Sequence, residues 1–497
     1  MVQETRTIRF FRRPTDGVAA GDAIPFFWEG KYHLFHLTCP PGTLGTQYPE
    51  RVRTSFRHAV STNLVDWEEL PPALLPGDEG SDADGTWTGS VVAADGVFHI
   101  FYTGHHVGVE NPQTICHATS NDLIQFEKDA ANPILTPDPD RYDRIDWRDP
   151  YVFWNETENC YWMLIAARLN RGPFSRRGCI VLATSSDLTD WTIHDPLYAP
   201  FSTFCPECPE MFALGDKWYL VYSRFSEDGQ TTYRVADSPR GPWRTPSREG
   251  VDGRRFYAAK STSDGTRRYI FGTIYERDGL TNDGTWVYGG DFGIPRELLA
   301  QADGNLAVRC PDQIVQAYQR AAPFAFSPSM GQWISEADGA RAEAVSNLAY
   351  GELSVPAGSY LVECTVNPLD ARGPFGILLK YREDLERAYI LSFEPGKDRV
   401  SITISPRPLD PFWATLTGHK VPPAQVDGPR LVERELAIKN GRPIKCTVLF
   451  SGSIVEAFVD QQLALTYRIY DDADYKCGFI VQDGVVEFAS VEVRQSS

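Results

Sequence analysis

The segment HAVSTNLVDW, His58–Trp67, returns three more times along the chain, and that recurrence decides the architecture. It comes back as HATSNDLIQF at His117–Phe126, as LATSSDLTDW at Leu182–Trp191 and, degenerate, as VADSPRGPW at Val235–Trp243. The serines of the motif, read as Ser61, Ser120, Ser186 and Ser238, lie 52 to 66 residues apart. Ahead of each comes a turn leading into an aromatic strand: EGKYHLFHL from Glu29, DGVFHIFYTG from Asp95, ENCYWMLIA from Glu158 and GDKWYLVYS from Gly215. A weaker fifth copy, GTRRYIFGT, starts at Gly265. Self-similarity at a fixed period marks repeat architectures. An alternating strand, a loop, a second strand and a turn closed by an aromatic is one four-stranded blade read along the chain. Five such units from about residue 20 to 310 predict a five-bladed β-propeller. The competing reading is a β-sandwich with chance likeness among its turns. Four recurrences of one S-x-(N/D)-L-x-x-(W/F) pattern weigh against it.

The pattern fades after the stretch PRELLAQADGNLAVRCPDQIVQAYQRAAPFAFSPS. From about Trp333 short strands recur without the blade signature, among them SYLVECTVNP, FGILLKY, AYILSFE and RVSITIS. Alternating patterning with Gly and Asp turns over that length reads as a β-sandwich. The expected architecture is therefore all-β: a five-bladed β-propeller over residues 1–322, a connector at 323–334 and a C-terminal β-sandwich at 335–497.

Composition narrows the function. The 497 residues hold 12 Trp, 22 Tyr and 27 Phe against 4 Met, which suits short strands and turns over helical bundles. A net charge of −18 repels nucleic acid and anionic membrane surfaces, so neither is an expected partner. No run of about 18 apolar residues occurs, and MVQETRTIRFFRRPTDG has no apolar h-region, so the expected location is cytoplasmic. The ten cysteines show no repeated spacing and read as reduced thiols, apart from the CxxC of Cys205 and Cys208. A zinc site there lacks a second pair of ligands at a plausible spacing, and two prolines flank what a redox dithiol would place at a helix start. Asp78–Gly85, DEGSDADG, lacks the closing Glu of a calcium loop. No metal and no cofactor is expected, and a homo-oligomer stays open.

Three carboxylates stand in unusual settings, each just ahead of an aromatic strand: Asp22 in AAGDAIPFFWEG, Asp149 in DWRDPYVFW and Glu207 in CPECPEMF. Their similar offsets predict equivalent points on successive blades, close to the axis. Glycosidic cleavage needs such groups: an acid to protonate the leaving oxygen, a carboxylate to attack or activate water, and a third to counter the oxocarbenium-like charge. Trp28, Trp87 and Trp147 lie nearby in sequence and suit either sugar stacking or blade packing.

These motifs resemble glycoside hydrolase family 32, the β-fructofuranosidase, invertase, inulinase and levanase group, over nearly the whole chain. WRDP at Trp147–Pro150 is similar to its RDP motif and ECPE at Glu207–Glu210 to its ECP-acidic motif. GTWTGS at Gly85–Ser90, FYTG at Phe101–Gly104 and YAAK at Tyr257–Lys260 resemble further landmarks. The resemblance implies Asp22 as nucleophile, Asp149 as transition-state stabiliser and Glu207 as general acid/base, in a retaining mechanism with the outer two carboxyls roughly 5–5.5 Å apart. It also implies that Arg148 contacts hydroxyls of the terminal sugar; Trp28, Trp87, Ser90, His58 and Tyr257 are the other expected substrate contacts. The activity implied is release of terminal fructofuranosyl units from small saccharides. Transfer to a sugar acceptor, a difructose-anhydride reaction, another furanoside or sugar binding without cleavage are the alternatives. The chain departs from the family around the nucleophile. The family's N-D-P-N-G is GDAIPFF here, its Tyr-Gln is His36-Leu37, and its W-G-H is Phe56-Arg57-His58. Arg57, His58 or His36 are the expected replacements for the missing contacts.

Overall fold

A computed structural model describes residues 7–46, 48–226, 229–406, 427–428, 430–470 and 475–496. Two compact units divide them: residues up to 279 with 286–307, and residues 280–285 with 308 onward.

The first unit is the propeller. Blade 1 comprises Ala20–Trp28, Lys31–Thr38, Ser55–Ser61 and Asp66–Leu74, with Thr7–Arg9 added at its outer edge. Blade 2 runs Gly85–Ala94, Val97–His105, Gln113–Ser120 and Glu127–Lys128. Blade 3 runs Tyr142–Asn155, Cys160–Leu169, Gly178–Ser185 and Thr192–Tyr198. Blade 4 has Glu207–Leu214, Lys217–Arg224 and Gln230–Ala236, with a single bridge from Val235 to Arg244 in place of a fourth strand. Blade 5 begins with Tyr257–Ser263 and Arg268–Arg277, and the latter pairs with both Trp286–Phe292 and Arg296–Ala300. The first strand of each blade lies beside the first strand of the next, and the fifth returns to the first, so the ring closes. Pairing of Gly290 with Ala20, and the Phe292 amide donating to Arg12 O at 2.6 Å, lock that closure between the two ends of the unit.

The recurring motif turns out to be a side-chain-built turn. Ser61 Oγ accepts from the amides of Asn63 and Leu64, and Asn63 Oδ1 accepts from those of Val65 and Asp66 at 2.9 and 2.8 Å. The hydrophobic residue sits at φ +65°, buried, and Trp67 Nε1 donates to its carbonyl. Blade 2 repeats this with Ser120, Asp122 and Leu123. In blade 3 the capping hydroxyl belongs to Ser185, which receives the Asp187 amide; the neighbouring Ser186 is exposed, so the register read from the sequence was one residue late. Asx and Ser turns of this kind satisfy backbone donors with short side chains, which explains the residue choice.

The second strands differ from the alternation expected. Tyr32–Thr38 and Trp162–Leu169 are buried at every position. Each blade has a neighbour on both faces, so both faces need apolar residues. Ile24, Phe35, Ile100 and Tyr102 fill the space between blades 1 and 2; Phe101, Met163, Ile165 and Val181 do so between blades 2 and 3. Each such side chain contributes roughly 1.5–3 kcal/mol by leaving water.

The second unit is a sandwich of two sheets that share long strands. Lys476–Gln495 pairs in its first part with Phe375–Tyr381 and the end of Ala340–Leu353, then with Tyr360–Ala371 and the start of Ala340–Leu353. The switch falls at Asp483-Gly484, both at positive φ, where Asp483 Oδ1 also accepts from the Ser346 amide. The unit starts earlier than the sequence suggested. Arg320–Ala322 pairs with Lys476–Gln495, and Phe326–Met330 and Gln332–Ser335 pair with Ala340–Leu353. Residues 323–334, read as a connector, therefore hold sandwich strands, because long-range pairing orders a stretch whose local composition reads as linker.

Candidate active site

The first strand of every blade carries one extra residue at the same place. The bulges fall at Gly21-Asp22, Thr88, Asp149-Pro150, Cys208-Pro209 and Ala258-Ala259. Bulges bend a strand and re-aim its side chains. Asp149, Cys208 and Ala258 take left-handed φ values of +60°, +50° and +49°, a strained conformation for residues with a Cβ. The three expected carboxylates all sit here, but not at strictly equivalent points. Asp22 is the second residue of its bulge, Asp149 the first, and Glu207 the residue immediately before. That stagger matters. The counterparts of Glu207 on the flanking blades are Arg148 and Tyr257, and both reach it: Arg148 donates to Oε1 at 3.0 Å and the Tyr257 hydroxyl to Oε2 at 2.6 Å.

Asp149 is held from both sides. Its amide donates to Thr103 Oγ1 at 2.7 Å, and its Oδ2 accepts the Cys208 amide at 2.8 Å. Asp22 accepts from the Tyr288 hydroxyl at 3.1 Å and faces Cys208 Sγ at 3.7 Å. Arg148 also donates to Asp146 at 2.5 Å and to Gln113 Oε1 at 3.1 Å, which fixes the guanidinium. Lys260 Nζ, buried, donates to Gly89 O at 2.7 Å. A cavity of about 180 Å³ opens over these groups, walled by Leu37, Val52, Thr54, Trp87, Tyr257, Ala258, Tyr275 and Tyr288.

Burial sets the electrostatics. Loss of hydration, with Asp149 and Glu207 adding repulsion, pushes the Asp22 carboxyl up to about 7. Burial also raises Glu207 and Asp149, against the opposing pull of Arg148. Carboxylates so close titrate as a set, and one of them retains a proton near neutrality. Burial and mutual repulsion raise all three carboxyls, the kind of setting in which acid/base-assisted displacement draws a proton donor and an anion from one cluster.

The remaining expected contacts divide. Arg148, Trp87 and Tyr257 line the cavity. Trp28 does not; it is partly exposed at the far end of its strand, against Phe26 and Phe98. Ser90 is buried within the fold and its Oγ accepts the Val152 amide, a staple between blades 2 and 3. His58 is sealed in the blade, bonded to His33 at 3.0 Å and stacked on Phe35. Trp147 is core. Nor do the expected replacements reach the pocket: Arg57 pairs with Asp16, and His36 packs between Phe11 and Phe292. Arg57 sits opposite His36 on the neighbouring strand while His58, next to it, faces the other way, and none of the three lines the cavity. Tyr275, Tyr288 and Thr54 were missed because no local motif marks them.

Cys205 and Cys208 are free and buried, and burial raises both thiols well above their ordinary range. Among the described residues no group of His, Cys, Asp and Glu has the arrangement to hold a metal ion. Glu210 is fully buried and accepts from the Ser261 amide and hydroxyl, tying blade 4 to blade 5.

Comparison with known proteins places this geometry. A fructan 1-exohydrolase of Triticum urartu is 30% identical over 324 residues, 59% of this chain and 52% of that protein. The match thus spans about half of that relative's length. A cell-wall β-fructofuranosidase of Zea mays is 26% identical over 448 residues, 79% of this chain and 73% of its own. The crystal structure of fructan 1-exohydrolase IIa from Cichorium intybus superposes with a TM-score of 0.75 at 19% identity, covering 100% of this chain and 98% of that one. Residues 16–310 match the N-terminal domain of glycosyl hydrolases family 32 and residues 335–495 its C-terminal domain, and the chain therefore belongs to glycosyl hydrolase family 32.

Proposed function

We propose that this protein is a retaining glycoside hydrolase that releases terminal fructofuranosyl residues from small fructose-containing saccharides. The observation that carries the reading is the convergence of Asp22, Asp149 and Glu207 on one cavity, with Glu207 bracketed by Arg148 and Tyr257. Asp22 attacks the anomeric carbon. Glu207 gives its proton to the departing glycosidic oxygen, then takes one from the water that releases the sugar. Asp149, fixed by the Cys208 amide, offers negative charge to the oxocarbenium-like transition state without having to reorganise. Arg148 supplies donors to sugar hydroxyls from the same side as Glu207. The cavity, about 180 Å³, suits one terminal sugar ring and argues for attack at chain ends. A structural neighbour supports the substrate class: a variant of the Cichorium intybus enzyme was solved in complex with 1-kestose.

The test is an NMR time course on sucrose, 1-kestose, inulobiose, levanbiose, difructose anhydrides and an aryl arabinofuranoside, with wild type beside Glu207→Gln. Fructose release that disappears in Glu207→Gln is the expected result. Turnover of no fructoside, or turnover indifferent to the substitution, refutes the reading. New oligosaccharides at high substrate concentration would assign transfer instead.

A further inference from the structure

Gly21, the residue before Asp22, is not there for backbone freedom, since it is absent from the glycines at positive φ. It is there for space. A Cβ on it would stand 2.6 Å from the hydroxyl of Tyr288, closer than real Cβ contacts occur, and 3.0 Å from Leu37 Cβ, a tight contact. The hydroxyl that needs this gap is the one that donates to Asp22 Oδ1 at 3.1 Å.

Tyr288 comes from Trp286–Phe292 of blade 5, and an ionic ladder, buried at Arg51 and Glu276 and part-buried at Arg13, holds the strand there. Arg51, 2% exposed, donates through Nε to Tyr288 O at 2.5 Å and through a terminal nitrogen to Glu276 at 2.7 Å. Glu276 in turn accepts from Arg13 at 3.1 Å, and Arg13 pairs with Asp291 at 2.5 Å on the same strand as Tyr288. Buried charges are a costly way to hold a strand, and apolar packing of the same volume often does as well. A directional ladder, unlike apolar contact, also sets the height of one carbonyl and so the position of the side chain beside it.

We propose that Tyr288 is the positioning residue for Asp22, with Gly21 admitting its hydroxyl and Arg51 setting its height. The assignment rests on Asp22 being the nucleophile of the proposed reaction. The hydroxyl restricts rotation of the carboxylate and stabilises its ionised form by donation. The other groups facing Asp22 are Asp149, Glu207, Cys208, Tyr275 and Thr88. Tyr288 also fills part of the pocket wall beside Leu37, which narrows the subsite for the terminal sugar.

The experiment measures kcat and KM against pH on the best fructoside for wild type, Tyr288→Phe, Gly21→Ala and the double variant. Tyr288→Phe keeps the ring and loses only the donor. Its kcat/KM is expected to fall about tenfold or more, carried by kcat, as for a hydrogen bond to a charged group. The acid limb of its kcat/KM profile should move to higher pH, because the ionised nucleophile has lost a donor. Gly21→Ala should produce a similar loss by displacing the hydroxyl. The double variant should fall below Tyr288→Phe by less than the loss Gly21→Ala shows alone, since the closest collision is gone and only the contacts with Leu37 Cβ at 3.0 Å and the ring carbon at 3.2 Å remain. A Tyr288→Phe profile superimposable on wild type, a loss lodged wholly in KM, or additive single effects would overturn the proposal. If Tyr288→Phe fails to fold, Gly21→Ala alone decides: an unmoved acid limb refutes the assignment. A wild type inactive on every fructoside removes the reading beneath it, a result distinct from an active enzyme indifferent to Tyr288.

Discussion

Replacing Asp22 by Asn should make the propeller more stable, and more so as pH rises. The carboxyl has an ordinary value of 3.8 and is pushed to about 7 in the fold by burial and by repulsion from Asp149 and Glu207. For an acid whose folded value is raised, the unfolded chain releases its proton first. The penalty to folding is therefore small below pH 4, grows between 4 and 7, and is complete above 7. At 1.36 kcal/mol per unit the full penalty is about 4 kcal/mol. Asparagine carries no such penalty and can still accept from Tyr288. Denaturant unfolding of wild type and Asp22→Asn at pH 4.5, 6 and 8, followed by tryptophan fluorescence, measures the difference. The variant's advantage should widen steadily with pH, while turnover is abolished. An advantage constant across the series, or a variant less stable than wild type at pH 8, would refute the claim that the buried charge of Asp22 opposes folding.

Other consequences follow from the same structure. Catalytic kcat/KM should rise with pH toward about 7 on its acid side, because Asp22 must lose its proton before it can attack; an acid limb near pH 4 would show that Asp22 ionises freely. His36 is buried and held neutral, pushed down to about 4, so protonation favours the unfolded chain as pH falls from 6.5 to 4. Acid should cost the fold roughly 3 kcal/mol at this residue, and His36→Phe should flatten the stability loss over that window. Glu210→Ala leaves Arg268 and the Ser261 donors without their buried acceptor and should cost about 3 kcal/mol in urea unfolding, whereas a surface carboxylate removed as a control costs little. Ser185→Ala should lower stability by about 1 kcal/mol through loss of the turn cap, while Ser186→Ala changes it by less than half of that; the reverse order would restore the register first read from the sequence.

The blade repeat, and with it the propeller, is legible in the chain because each blade repeats the same local problem. A hydrophobic residue at positive φ must be turned between two strands, and Ser with Asn or Asp solves it with side chains adjacent in the chain. The sequence also singled out Asp22, Asp149 and Glu207, since an acidic residue just ahead of a buried strand stands out locally. What it could not yield was which neighbours complete the pocket. Tyr288 lies 266 residues from Asp22 and meets it only because the ring closes blade 5 on blade 1. His58, Arg57 and His36, expected to compensate for the altered nucleophile motif, do not line the cavity, because strand register carries them to other partners: His33, Asp16 and the rings of Phe11 and Phe292. The one-residue bulges that stagger Glu207 against Asp149, and so bring Arg148 and Tyr257 to either side of the acid, are likewise a matter of pairing between strands. Local chemistry is written in short motifs; convergence depends on ring closure and strand register, and both are set by contacts hundreds of residues apart.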